Sequence, residues 1–161
     1  MRARGMKITL WTDELQTMRQ AYEDIKNGEE PWVALGNFTN DFFDEDEREA
    51  RRALFVEPLD IELATTETHH QWAVFCAASI EYLCGKYDLS IPHWIHDPVY
   101  APLAIAWYMV PTPQAAQISS VRERLEMETP EAFKRRNIFC GNRIYLNKRE
   151  EAEKLRRLMS A

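Results

Sequence analysis

Glycine and cysteine are scarce in this sequence, and each shortage argues against a class of protein. Only five glycines occur among 161 residues, and none are adjacent, which argues against a glycine-rich phosphate-binding loop and against a fold of tight β-hairpins. The three cysteines, Cys76, Cys84 and Cys140, are odd in number and lack metal-binding spacing, as expected of reduced thiols. The HExxH, CxxC and zinc-deaminase motifs are absent too, so the sequence names no reaction.

A long apolar run is also missing. The longest weakly charged stretch, residues 98–113, contains four prolines and is shorter than a bilayer span. The N-terminal segment MRARGMKITLW lacks the apolar core of a secretory signal. We therefore expect a cytoplasmic protein with no membrane partner.

The apolar residues that are present suffice for one folded domain. The chain is 45% hydrophobic and 11% aromatic, which is too apolar for a disordered protein, and its length suits one core better than two.

The net charge changes sign along the chain. Residues 1–128 carry 11 Lys/Arg against 22 Asp/Glu, whereas residues 129–161 carry 9 against 4. An acidic body followed by a basic tail indicates interaction with partners.

Helical spacing of apolar residues predicts an all-α fold, a compact multi-helix single domain over residues 1–147. The predicted helices cover residues 12–26, a segment starting at Pro31, residues 44–52, 68–87, 114–126 and 129–137. The longest is the predicted central helix, and Thr68 with Gln71 would form its capping box. At most a minor β pair is expected, near residues 138–146, where the sequence is compatible with either a turn or a short β-ribbon around Gly141 and Asn142.

Two further segments complete this prediction. Residues 98–113 should form an irregular apolar loop because of their prolines. Residues 148–161 should form a basic helix that packs on the domain or extends from it, beginning at a capping box of Asn147 and Glu150.

The stretch TPEAFKRRNIF, residues 129–139, predicts a helix that closes the domain. Thr129 would cap this helix with its hydroxyl, and Pro130 would occupy the first helical position. Phe133, Asn137 and Phe139 complete the motif. We assign a structural role to these five residues.

The basic residues of the C-terminal third allow two interpretations. Arg135, Arg136, Arg143 and the last helix could contact the phosphates of a nucleic acid. Alternatively, they form a solvated face that pairs with the protein's own carboxylates, because a net charge of −6 opposes the approach of a polyanion. We expect one of the arginines to be held inward, with its planar guanidinium bridging carbonyls or a carboxylate.

Aromatic residues are candidates for a protein interface. Trp32 and Trp72 follow helical patterns that predict core positions. Trp107 and Tyr108 lie in the irregular loop, where core-covering and partner-binding roles are equally compatible with the sequence.

Histidines and cysteines provide a third alternative, a small Cys/His enzyme. Cys140 lies near arginines, which could lower the pKa of its thiol. The adjacent His69 and His70 would point about 100° apart on a helix, so they predict no metal site. No cofactor is predicted.

The closing motif and residues 81–98, EYLCGKYDLSIPHWIHDP, together resemble a family of small bacterial proteins. These combine an acidic helical body, a central helix ending in Y-x-L-x-x-P-x-W, a variable apolar loop and a closing TP-x-x-F-x-x-R-N-I-F. The chain follows that order over about residues 30–147 and adds the basic segment 148–161. The resemblance implies an antitoxin-like role, since such proteins are often encoded beside toxin-like nucleotidyltransferases or in mobile, defence-like neighbourhoods.

Our preferred prediction is a non-catalytic module that binds another protein, such as a toxin-like enzyme. The acidic body would speed encounter with such a partner. The first alternative is a nucleic-acid-binding regulator that uses the basic C-terminal region. The sequence does not indicate an oligomeric state.

Overall fold

The computed structural model describes residues 15–62 and 65–160, and in these residues the protein is mostly helical. Its helices are α1 (Met18–Lys26), α2 (Pro31–Asp44), α3 (Arg48–Ala53), α4 (Glu67–Tyr87), α5 (Ser119–Glu128), α6 (Glu131–Lys134) and α7 (Lys148–Ser160). Short 3₁₀ turns span His93–His96, Pro98–Tyr100 and Ala115–Gln117, and two-residue strands span β1 (Trp107–Tyr108) and β2 (Ile138–Phe139). The all-α prediction with one long helix is confirmed.

Helix α4 is the centre of the core. Its residues 73–80 are buried on every side, as expected of a helix that neighbours surround. Three small residues, Ala73, Ala77 and Ala78, allow neighbouring helices to approach α4 closely. Helices α1 and α6 pack against it. Its cap is Thr66, whose hydroxyl accepts the His69 N–H at 3.1 Å. The predicted capping box at Thr68 is wrong because Thr68 already lies in the first turn.

Helices α1 and α2 pack against each other, and α1 also packs against α4. Helix α1 begins at Met18, since the Thr17 hydroxyl accepts the Gln20 N–H at 3.0 Å. The prediction of a helix from residue 12 is wrong at Leu15, which precedes the helix and is half exposed, and residues 12–14 lie outside the described part. Helix α2 begins at Pro31 as predicted, but Trp32 is 46% exposed rather than in the core.

The two strands join the apolar loop to the closing motif. Strand β1 pairs in parallel with β2, Trp107 opposite Ile138 and Tyr108 opposite Phe139. The predicted ribbon within 138–146 is therefore wrong in its pairing, since β2 has its partner in the preceding loop. The Gly141 N–H instead donates to the buried Thr129 hydroxyl at 2.7 Å.

The closing motif differs from its prediction at both ends of α6. Thr129 does not cap the helix; the residue preceding α6 is Pro130, which has no side-chain cap. The helix ends at Lys134 rather than Asn137, because Asn137 adopts a left-handed φ of 66°. The Asn137 amide donates to the Leu103 carbonyl at 2.9 Å. The motif thereby holds the apolar loop against the domain.

Buried contacts secure α6 and β2. Phe133 is fully buried and its ring lies 5.2 Å from that of Phe75 on α4. Phe139 stacks on Tyr108 with ring centroids 4.7 Å apart.

Within the described ranges, no helix is both long enough and apolar enough to cross a membrane.

Candidate functional site

Strand β1 directs the two aromatic candidates to opposite sides, as alternate residues of a strand must point. Trp107 packs edge-on against Trp72 of α4, with ring centroids 5.0 Å apart. Tyr108 points the other way, beneath the Arg122 guanidinium at 4.6 Å, and its hydroxyl donates to the Glu126 carboxylate. The two residues are neighbours in sequence but belong to different surfaces.

A groove opens beside Trp107, with a volume of about 450 Å³. We call it the tryptophan groove, and it is lined by Trp32, Trp72, Trp107, Met109, Val110, Pro111, Cys140, Arg143 and Ile144. Trp32 and Trp72 meet edge-on at 5.9 Å, so three indole rings form one continuous wall. The structure thus brings two of the sequence-predicted residues together, Trp107 and Arg143.

Arg143 is the only one of the three candidate arginines that the described residues leave without a partner. Its side chain is exposed and makes no hydrogen bond, ion pair or aromatic contact to any residue in ranges 15–62 and 65–160. It follows the buried turn at Gly141, which carries a positive φ of 81°. The guanidinium is available to a ligand in the groove.

Arg135 and Arg136 are held elsewhere, by one carboxylate of α4. The Arg136 guanidinium donates to Glu81 at 2.6 Å, to the Ala132 carbonyl at 3.1 Å and to the Ile95 carbonyl at 3.4 Å. Arg135 contacts the second oxygen of Glu81. The prediction of one inward arginine is confirmed by Arg136, which is 8% exposed. This pair of arginines joins α6 to α4.

Helix α7 begins beside the body of the protein. The Asn147 side chain accepts the Arg149 N–H at 3.0 Å, so Asn147 caps the helix as predicted. The Glu150 carboxylate does not complete the capping box by accepting the backbone N–H of Asn147, because it accepts the Tyr87 hydroxyl at 2.9 Å. Arg149 donates to the Phe43 carbonyl at 3.2 Å and lies 3.5 Å from Asp44.

All thirteen residues of α7 are exposed, including its apolar ones. Leu155, Leu158 and Met159 are 57%, 70% and 77% exposed. At about 100° per residue, the midpoint between the anchoring residues Arg149 and Glu150 lies about 170° from Leu155 and about 130° from both Leu158 and Met159 around the helix axis. The apolar stripe therefore faces away from the side that holds the helix to the body.

The cysteines do not have the properties of nucleophiles. Burial raises the pKa of the Cys140 thiol and that of the Cys84 thiol, each to about 12. Burial also raises the pKa of Cys76. The prediction that arginines would lower the pKa of Cys140 is wrong, since desolvation is the larger effect. A thiolate enzyme at neutral pH is not supported.

Among the described histidines, His70 makes a contact that joins two elements of the fold. A ring nitrogen of His70 lies 2.8 Å from the Val99 carbonyl, which ties α4 to the turn at Pro98–Tyr100. No group of three or more His, Cys, Asp or Glu residues in the described part could hold a metal ion. Their contacts are those of structural residues.

Sequence reasoning missed Trp32 and Trp72 as residues of the groove; Trp32 is exposed, whereas Trp72 is partly buried and packs against the core as predicted. Both follow helical apolar spacing, which predicts burial but does not show whether the neighbouring loop covers them completely. The apolar spacing carries no signal for the exposure of Trp32, which follows Pro31 in the first turn of its helix.

No protein-family model, curated protein or solved structure matches this chain, so the family resemblance stays a prediction.

Proposed function

We propose that this protein is a non-catalytic module that binds another protein through α7. The observation that carries the proposal is the apolar stripe of Leu155, Leu158 and Met159 on a helix that is exposed over its whole length. Exposed apolar surface of this kind marks interaction sites. An amphipathic helix typically binds by placing such a stripe in an apolar groove of its partner.

The family resemblance supplies the specific form of the proposal, an antitoxin-like protein that neutralises a toxin-like enzyme in the cytoplasm. The acidic body supports this form, since residues 1–128 carry twice as many acidic as basic side chains. Such a surface attracts a basic partner and repels other acidic proteins. We expect the partner to present both a basic surface and an apolar groove.

A nucleic-acid-binding role has less support from the structure. The basic residues of α7 already face carboxylates, because Arg156 lies 2.6 Å from Glu153 and Lys154 lies 3.9 Å from Glu151. Arg135 and Arg136 share Glu81. Few cations are left to displace counterions from a phosphate backbone.

The test is recovery of a partner from the native host with the tagged full-length protein and the variant Leu155→Glu. We expect the wild type to retain a stable protein partner and L155E to lose it, because a buried carboxylate opposes docking of the stripe. Ile105→Glu is the matched control, since Ile105 is 74% exposed and lies outside α7. Equal loss in both variants, or no partner for the wild type, would refute the proposal.

A further inference from the structure

A second depression of about 390 Å³ shares part of its lining with the tryptophan groove. Both are lined by Met109, Val110, Pro111, Cys140 and Arg143. The second depression adds Val121 and the buried Leu125 of α5. We call the two depressions together the trough, which extends from Trp32 to α5 and has Arg143 in the lining that they share.

Apolar side chains lie on both sides of Arg143 in this trough, and the part beside α5 also includes Arg124, Glu128 and Asn142. The three indole rings lie at one end, with Trp72 and Trp107 only 5.0 Å apart, and aliphatic side chains lie at the other. Apolar surface in a concave site with a few placed polar groups is typical of a binding site, where such a group fixes the orientation of the ligand. Arg143 has that position here.

The charge of Arg143 indicates the chemistry of the ligand. Neighbouring arginines are engaged, since Arg124 lies 3.7 Å from Glu128 and Arg122 covers the Tyr108 ring. Arg143 has no such partner among residues 15–62 and 65–160. A planar guanidinium beside apolar surface binds a carboxylate through two parallel hydrogen bonds.

We propose that the trough binds an extended segment of another protein, in which one Asp or Glu is flanked by apolar or aromatic residues. The carboxylate binds Arg143, and the flanking side chains occupy the tryptophan groove on one side and the depression beside α5 on the other. A single arginine in an acidic protein suits one carboxylate better than a polyphosphate chain. This site is separate from α7, so it extends the protein-binding role to a second surface.

Selection from a phage-displayed library of random dodecapeptides tests the proposed chemistry. We expect the wild-type protein to enrich peptides with Asp or Glu next to apolar residues, and Arg143→Glu to enrich Lys or Arg at that place. Arg48→Glu makes the same change of charge at an exposed residue paired with Asp88 at 3.7 Å, and it should retain the wild-type selection. No enrichment, or enrichment that R143E leaves unchanged, would overturn the proposal.

The position of the bound peptide is tested by NMR titration with the strongest selected peptide. The indole N–H signals of Trp72 and Trp107 should shift, whereas that of Trp94, which donates to the Phe55 carbonyl at 2.9 Å, should stay in place. Replacing the acidic residue of the peptide by its amide should weaken binding about tenfold or more. Shifts confined to α7, or an amide peptide of equal affinity, would contradict the assignment.

Two further measurements separate this proposal from the others. L155E should bind the peptide as the wild type does, so that failure of the α7 proposal leaves this one testable. Sedimentation of the protein alone should give the same association state for wild type and R143E. Self-association that R143E abolishes would identify a second copy as the occupant and refute the proposal of a separate partner.

Discussion

At the scale of single residues, the position of Glu81 on α4 has a consequence for the stability of the protein. Its carboxylate faces two arginines, and both it and Arg136 are nearly buried, with side chains 11% and 9% exposed. An arginine left in such a place without its carboxylate would carry an uncompensated charge in a poorly solvated environment.

We therefore expect Glu81→Ala to lower the free energy of unfolding by about 3 kcal/mol. Urea denaturation followed by far-UV circular dichroism measures this change. Glu131→Ala is the control, because Glu131 is 71% exposed and pairs with Lys134 only at the surface; it should cost no more than about 0.5 kcal/mol. Equal stability of the two variants would contradict this expectation, because it would show that water solvates the Arg136 guanidinium when Glu81 is removed.

Adjacent residues in the closing motif show the limit of sequence reasoning at this scale. The sequence predicted that one arginine turns inward, and Arg136 does so. Nothing local selects Arg136 over Arg135, since the choice depends on Glu81 and the Ile95 carbonyl, both far away in sequence. Trp107 and Arg143 are both candidates from the sequence, but their meeting in one groove depends on how β1 and β2 pair.

At the scale of elements, the start of α4 distinguishes the structure from the sequence prediction. Thr66 and Thr68 are both exposed threonines, two residues apart, and either could cap a helix by composition. The structure assigns the cap to Thr66, whose hydroxyl accepts the His69 N–H.

We expect Thr66→Ala to destabilise the protein by about 1 kcal/mol through loss of the cap. Thr68→Ala should be neutral or slightly stabilising, because alanine has the higher helix propensity within a turn. Thermal and urea unfolding of the two variants provide the comparison. The reverse order of stability would place the start of α4 at the predicted capping box.

Helices long enough to repeat an apolar pattern could be predicted from the sequence, whereas the two-residue strands could not. The start of α2 follows from Pro31, and the extent of α4 follows to within one residue from a long helical pattern. Strands β1 and β2 have two residues each, too few for an alternating pattern, and their partners lie far apart in the chain. The early end of α6 depends on the left-handed φ of Asn137, which its bond to Leu103 favours.

At the scale of the whole molecule, many ionisable groups are buried in their neutral form. Burial raises the pKa of the Cys84 and Cys140 thiols to about 12 from 9.0, and it also raises the pKa of Tyr87 and Tyr145. In alkaline solution the unfolded chain loses protons that the folded protein keeps. Stability is therefore fully present below about pH 9 and falls as the pH rises from there toward 12.

Urea denaturation at pH 7, 9 and 10.5 should show this loss as a midpoint that decreases above pH 9. Cys84→Ala should make the decrease smaller, because one of the contributing thiols is gone. An exposed substitution such as Ile105→Ala should leave the pH dependence unchanged. A midpoint that stays constant or rises between pH 9 and 10.5 would contradict the assigned direction.

The attachment of α7 has a consequence for how tightly a partner can bind. Among the described residues, its hydrogen bonds and ion pairs with the body come from Arg149 and Glu150, in its first turn. The turns beyond them rely on their own helix propensity, and an isolated helix of this length is marginal in water. Affinity then scales with the fraction of molecules in which those turns are helical. Substitutions on the polar side of α7 would tune binding through this population without touching the partner.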